Sequence, residues 1–153
     1  MKKFEFPLAR VASWYQQELS LEQLALQNLQ TQLLELDQQV QAIHLRKAAE
    51  QERMLGAATL NGYELQSLAG YTTHLLAEID RLRPLRARLT KRIEEQKARV
   101  VVRHRKVRLM ENLEQKRREE WRQALGKEED ALASELHLAR IAREAQTADI
   151  SAS

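Results

Sequence analysis

The stretch LARVASWYQQELSLEQLALQNLQTQLLELDQQVQAI, residues 8–43, decides the fold. Apolar residues fall at alternating steps of three and four: Leu8, Ala12, Tyr15, Leu19, Leu26, Leu29, Leu33, Leu36, Val40 and Ile43. Only Glu22 interrupts the run. That spacing keeps one narrow apolar stripe on one side of a helix, and such a stripe leaves water only when another helix covers it.

The same register resumes downstream at Leu65, Leu68, Thr72, Leu75, Ile79, Leu82, Arg86, Leu89, Ile93, Gln96, Val100, Arg103, Val107 and Met110. Between the two stripes lie Gly56, Gly62 and Gly70, three of the four glycines in 153 residues, and the turn dipeptide Asn61-Gly62. The pattern predicts an all-α fold, a long antiparallel two-helix coiled-coil hairpin forming a single domain over 1–153. The first helix is expected over about 7–55, entered at Pro7, whose fixed φ and missing N–H suit a first turn. At about 1.5 Å per residue it is roughly 70 Å long. A turn region follows at about 56–64, then a second helix over about 65–145 with a kink near Pro84. If the chain reverses near residue 59, position i faces roughly 118 − i, and the second helix overhangs its partner. Residues 146–153, small and polar, are expected to be a disordered tail.

Composition narrows the function. With two prolines and 5% aromatic residues there is too little turn-making and core-filling material for an α/β or all-β domain. The chain has no cysteine, so thiolate metal sites and a cysteine nucleophile are excluded. No stretch approaches the roughly 18 apolar residues that span a membrane, and Glu5 and Arg10 interrupt any secretory leader after Met1-Lys2-Lys3. A soluble cytoplasmic protein is expected. His44, His74, His104 and His137 form no ligand pair on one helical face, although a hairpin could bring His44 near His74. Acidic pairs such as Glu94-Glu95 read as solvated surface. With no phosphate loop, nucleophile elbow or pocket-forming architecture, the chain reads as a non-enzyme that needs no cofactor or metal.

Charge is uneven. Residues 97–118 hold nine basic and two acidic side chains, whereas 119–153 hold four basic and eight acidic. The basic band reads first as a solvated face with partners such as Glu114 to Arg118. A docking surface for an acidic protein comes second. Nucleic-acid or membrane-surface binding is last, because no stacking aromatics are interleaved within the band. Trp121 is either a core residue or a partner anchor in the overhang. Tyr63 and Tyr71 flank the reversal.

The start Phe4-Glu5-Phe6-Pro7-Leu8, the Leu/Gln-rich first helix, the stretch Tyr71-Thr72-Thr73-His74-Leu75 and the segment Leu109-Met110-Glu111-Asn112-Leu113 through Arg117-Arg118-Glu119-Glu120-Trp121 together resemble the FliJ family of flagellar type III export proteins. The family tends to carry an Asp-Glu pair where this chain has Ser134-Glu135. The resemblance implies a stalk-like coiled coil at the flagellar base, cytoplasmic and peripheral to the inner membrane. Its implied partners are the hexameric export ATPase, a membrane export-gate protein and export chaperones, with no nucleic acid and no membrane insertion. It implies ATPase contacts at Phe4, Phe6, Arg105, Arg108, Leu113, Arg117, Arg118 and Trp121, and gate contacts at Tyr71 and His74. The alternatives are a generic coiled-coil scaffold or homo-oligomer, or the equivalent stalk of a related type III secretion system.

Overall fold

In a computed structural model, which describes residues 2–57, 59 and 61–152, the chain consists of two long helices packed against each other, α1 (Ala9–Leu55) and α2 (Gly62–Ala152). No strand occurs among the described residues. Ala58 and Leu60 of the expected turn, and Ser153 of the expected tail, lie outside them.

Local chemistry sets the helix ends. Before α1, the Ala9 N–H donates to the Phe6 carbonyl at 3.1 Å and the Ala12 N–H to the Leu8 carbonyl at 2.9 Å. Proline at position 7 therefore sits where a missing donor costs nothing. At the other end Gly56 N–H still reaches the Glu52 carbonyl, and Ala57 closes on Met54 with a tighter i→i−3 bond. The start of α2 differs from the expected turn. Asn61 caps the helix: its side-chain oxygen accepts the Glu64 N–H at 2.7 Å, while the Glu64 carboxylate reaches back to the Asn61 N–H at 3.4 Å. This capping box starts the helix at Gly62 rather than at residue 65.

The far end also differs. In place of a disordered tail from residue 146, α2 continues to Ala152. Ala145, Ala148 and Ala152 favour helix, and the hydroxyls of Thr147 and Ser151 bond back to the Arg143 and Thr147 carbonyls at 2.6 and 2.9 Å. Helix α2 is uninterrupted at Pro84, which removes the donor to the Asp80 carbonyl without ending the helix.

The contacts gather into two compact units, Gln16–Arg105 and a second made of Met1–Tyr15 with Lys106–Ser153, where the sequence reading treats the chain as one domain. In the Gln16–Arg105 unit, Ile43, Leu75 and Leu82 form a buried cluster with Leu36, Val40 and Ile79 packed around it. Leu19 and Ile93 are also buried. None of the stripe positions from Leu8 to Ile43 is exposed, whereas the off-stripe leucines Leu21 and Leu34 are about 60% exposed, at 62% and 59%.

Four polar positions within the stripes, Glu22, Arg86, Gln96 and Arg103, are paired across the helices. Glu22, the one break in the first stripe, meets Gln96, a break in the second. The buried Gln96 amide donates to the Glu22 carbonyl at 3.0 Å and to the Glu22 carboxylate. Arg86 donates to Asp37 at 2.8 Å, and Arg103 lies 3.6 Å from Glu18. Hydrogen-bonding to Asp37 raises the already high pKa of Arg86, so the guanidinium stays charged.

In the other unit Val107 is buried, but every described residue from 127 to 152 is exposed, including Leu132, Leu136 and Leu138. Leu82→Ala is therefore expected to destabilise the chain by about 2–5 kcal/mol in urea unfolding, and Leu136→Ala to change it by less than about 0.5 kcal/mol. Gly126 sits inside α2 with nothing within 4 Å of where a Cβ would stand. Gly126→Ala is expected to add about 0.5–1 kcal/mol of helix stability in the same assay.

Candidate functional site

The unit that contains Trp121 brings together several of the residues singled out from sequence. Residues 2–6 are not helical. They lie as a strap against α2, where Glu114, Arg118 and Trp121 share one face through their spacing of four and three. The Trp121 indole N–H donates to the Lys2 carbonyl at 3.2 Å. The Phe4 ring packs against Trp121 with centroids 5.9 Å apart and planes tilted by 57°, within the range that aromatic pairs favour. The Arg118 guanidinium also stands 4.7 Å from the Phe4 centroid and is held by Glu114 at 3.2 Å. Phe4 and Trp121 are both half-buried.

A second aromatic–cation group lies in the same unit. Trp14 and Tyr15 pack at 5.4 Å, and the Lys106 ammonium sits 5.8 Å above the Tyr15 ring. Trp14 is 52% exposed. Lys2, Lys3 and Arg117 line a groove with Phe4 and Trp121, as do Glu5 and Glu120, and all five are exposed. A half-buried aromatic pair with cations beside it can hold carboxylates and apolar side chains together.

Of the residues expected to contact a partner at this end, Phe4, Arg118 and Trp121 touch one another. Phe6 and Leu113 are half-buried, Arg108 and Arg117 are exposed, and Arg105, in the Gln16–Arg105 unit, is also exposed. Trp121 does not lack cover, as the helical pattern alone suggests; the strap supplies it. Arg103 is held half-buried by Glu18 and is not a free member of the basic band. Sequence reasoning missed Lys2, whose carbonyl is the contact, because main-chain acceptors leave no residue signature. The Glu114–Arg118 pair expected from the i, i+4 spacing is present and holds Arg118 within this cluster.

The second expected surface lies in the Gln16–Arg105 unit. Tyr71, 39% exposed, lines a groove of about 560 Å³ with Glu50, Arg53, Met54, Tyr63 and Leu68. His74 is exposed and does not line it. The carboxyl of Glu78, one turn away, is held below the ordinary range chiefly by its hydrogen bond to Arg81. Among the described residues no group of three or more His, Cys, Asp or Glu side chains could hold a metal ion, and no helix is long and apolar enough to cross a membrane.

Compared with protein-family models, curated proteins and solved structures, the chain matches none of them.

The strap makes Trp121 a reporter. In a Trp14→Phe background, Phe4→Ala is expected to shift Trp121 emission to the red and to increase its quenching by iodide. Unchanged emission would show that Phe4 does not cover the indole.

Proposed function

We propose that this chain is a non-enzymatic coiled-coil stalk of the flagellar type III export apparatus, as its resemblance to the FliJ family implies. In this reading it works in the cytoplasm at the flagellar base, binds the hexameric export ATPase and a membrane export-gate protein, and assists export together with chaperones. The observation that carries it is the Phe4–Trp121 pair with the exposed Lys2, Lys3, Arg117 and Arg118 beside it. Exposed lysines and arginines steer an acidic partner and fix its register, while desolvated aromatics supply the anchor.

The antiparallel hairpin with an overhanging C-terminal helix belongs to the same proposal. The order of the cross-helix pairs supports it: Glu18, Glu22 and Asp37 meet Arg103, Gln96 and Arg86, ascending in α1 and descending in α2. Exposure of every described residue from 127 to 152 supports the overhang. The groove beside Tyr71, with Tyr63 79% exposed at its rim, is the surface we assign to the gate. The same shape and charge suit the stalk of a related secretion system.

A scaffold that pairs with a second copy is the other reading, and the bare leucines Leu132, Leu136 and Leu138 favour it. Light scattering separates the two: a stable dimer supports the scaffold, a monomer the stalk.

Titration into the cognate ATPase tests the stalk directly. Binding is expected to change ATP hydrolysis or ring assembly and to weaken as salt rises. Charge reversal at Arg105, Arg108, Arg117 and Arg118 together is expected to weaken it by at least about tenfold, or about 1.4 kcal/mol. No effect of the protein on the ATPase, or full binding by the reversed variant, would contradict the proposal.

A further inference from the structure

Between Leu85 and Arg105, within the Gln16–Arg105 unit, α2 carries a line of cations that its ion pairs leave unused. Steps of three and four place Leu85, Arg88, Arg92, Glu95, Arg99 and Val102 on one face, with Lys91 and Arg105 beside it. All eight are exposed. From Leu85 to Val102 the line runs for about 26 Å. The neighbouring cations are engaged: Arg81 by Glu78, Arg83 by Asp80, Arg86 by Asp37, Lys97 by Glu94 and Arg103 by Glu18. Among the described residues Arg88, Lys91, Arg92, Arg99 and Arg105 enter no such pair. Residues 16–37 of α1 hold no basic side chain, and of their four carboxylates Glu18, Glu22 and Asp37 are bound to α2, which leaves Glu35. Five cations and one carboxylate, Glu95, therefore point outward from this stretch of α2.

We infer that this face of α2 docks on an anionic lipid bilayer, with the helix lying along the headgroups. A single acidic helix laid on the same line gains little, because exposed ion pairs made one at a time are weak. A bilayer presents dense fixed charge to every cation together, and each one near such a surface raises partition about fivefold. Four of the five cations are arginines, whose planar fork matches lipid phosphate. No Trp, Tyr or Phe occurs from residue 81 to 105, so the helix rests on the headgroups without an aromatic to insert. The same lack leaves no ring on which the bases of a single-stranded nucleic acid could stack. The inference takes nothing from the stalk proposal. Its test contains no ATPase, so the two can fail separately.

The full chain is sedimented with vesicles of phosphatidylcholine, either alone or mixed with phosphatidylglycerol. Binding is expected to the mixed vesicles only, and to fall as salt rises. The combined variant Arg88→Gln, Lys91→Gln, Arg92→Gln and Arg99→Gln keeps strong helix formers at exposed positions. It is expected to bind at least about a hundredfold more weakly, with circular dichroism confirming that helicity is kept. Removing as many charges from the far part of α2, by Arg122→Gln, Lys127→Gln, Arg140→Gln and Arg143→Gln, is expected to change binding by less than about threefold, since these lie beyond a screening length from the face. The chain has no cysteine, so a single fluorophore reports which side meets the lipid. A label at Ala98→Cys, next to the line, is expected to respond to mixed vesicles, and one at Gln27→Cys, exposed on α1, to stay unchanged. Equal binding to neutral vesicles, undiminished binding of the first variant, an equal loss in the second, or an equal response from the Gln27→Cys label would each overturn the inference. Binding of duplex DNA or of an acidic protein without any binding of vesicles would overturn it as well.

Discussion

Burial of one narrow apolar stripe is the constraint on which this structure depends. A helix with apolar residues every three or four positions cannot hide them by itself, and the two-helix unit Gln16–Arg105 hides them with a matching stripe. The layer is thin: Leu75, Leu82 and Leu19 are nearly inaccessible, while neighbouring stripe residues remain half-buried. A thin apolar layer tolerates sliding by a whole heptad, since one leucine pair resembles the next. The polar pairs remove that freedom. A displaced register leaves the buried Gln96 amide without the Glu22 oxygens, and an unsatisfied buried polar group costs about 1–3 kcal/mol.

Where the strap lies, the cover has another form. Trp121 is shielded by a non-helical segment through a carbonyl, a ring and a guanidinium, each worth about 1 kcal/mol in such a half-exposed setting. Helix-on-helix burial is cooperative over many turns, whereas this cover is a few separable contacts. These separable contacts lie beside the exposed Lys2, Lys3, Arg117 and Arg118, and Leu132, Leu136 and Leu138 of α2 are more than half exposed.

Much of this was legible in the heptads. The spacing from Leu8 to Ile43 identifies the buried face, and the resumed register identifies Leu75, Leu82, Ile93 and Val107 as core. Glu22 and Gln96 each read as a defect in isolation, because a one-dimensional pattern does not reveal that two defects coincide in space. Asn61-Gly62 reads as a turn because the dipeptide is a strong turn signal, while the glutamate at Asn61 + 3, the mark of a cap, is the weaker one. Residues 146–152 resemble a linker because they are small and polar, yet Ala145, Ala148 and Ala152 have the strongest helix propensity and α2 runs through them. The strap was illegible: periodicity describes elements that repeat, and residues 2–6 do not.

The central claim is that recognition lies on the unit around Trp121, and hydrogen–deuterium exchange of the full chain with and without the cognate export ATPase tests it most directly. The account predicts new protection in residues 2–15 and 106–126, with the Ile43–Leu75–Leu82 core already slow to exchange before the partner is added. Protection confined to the groove beside Tyr71, or no change anywhere in the chain, would contradict it.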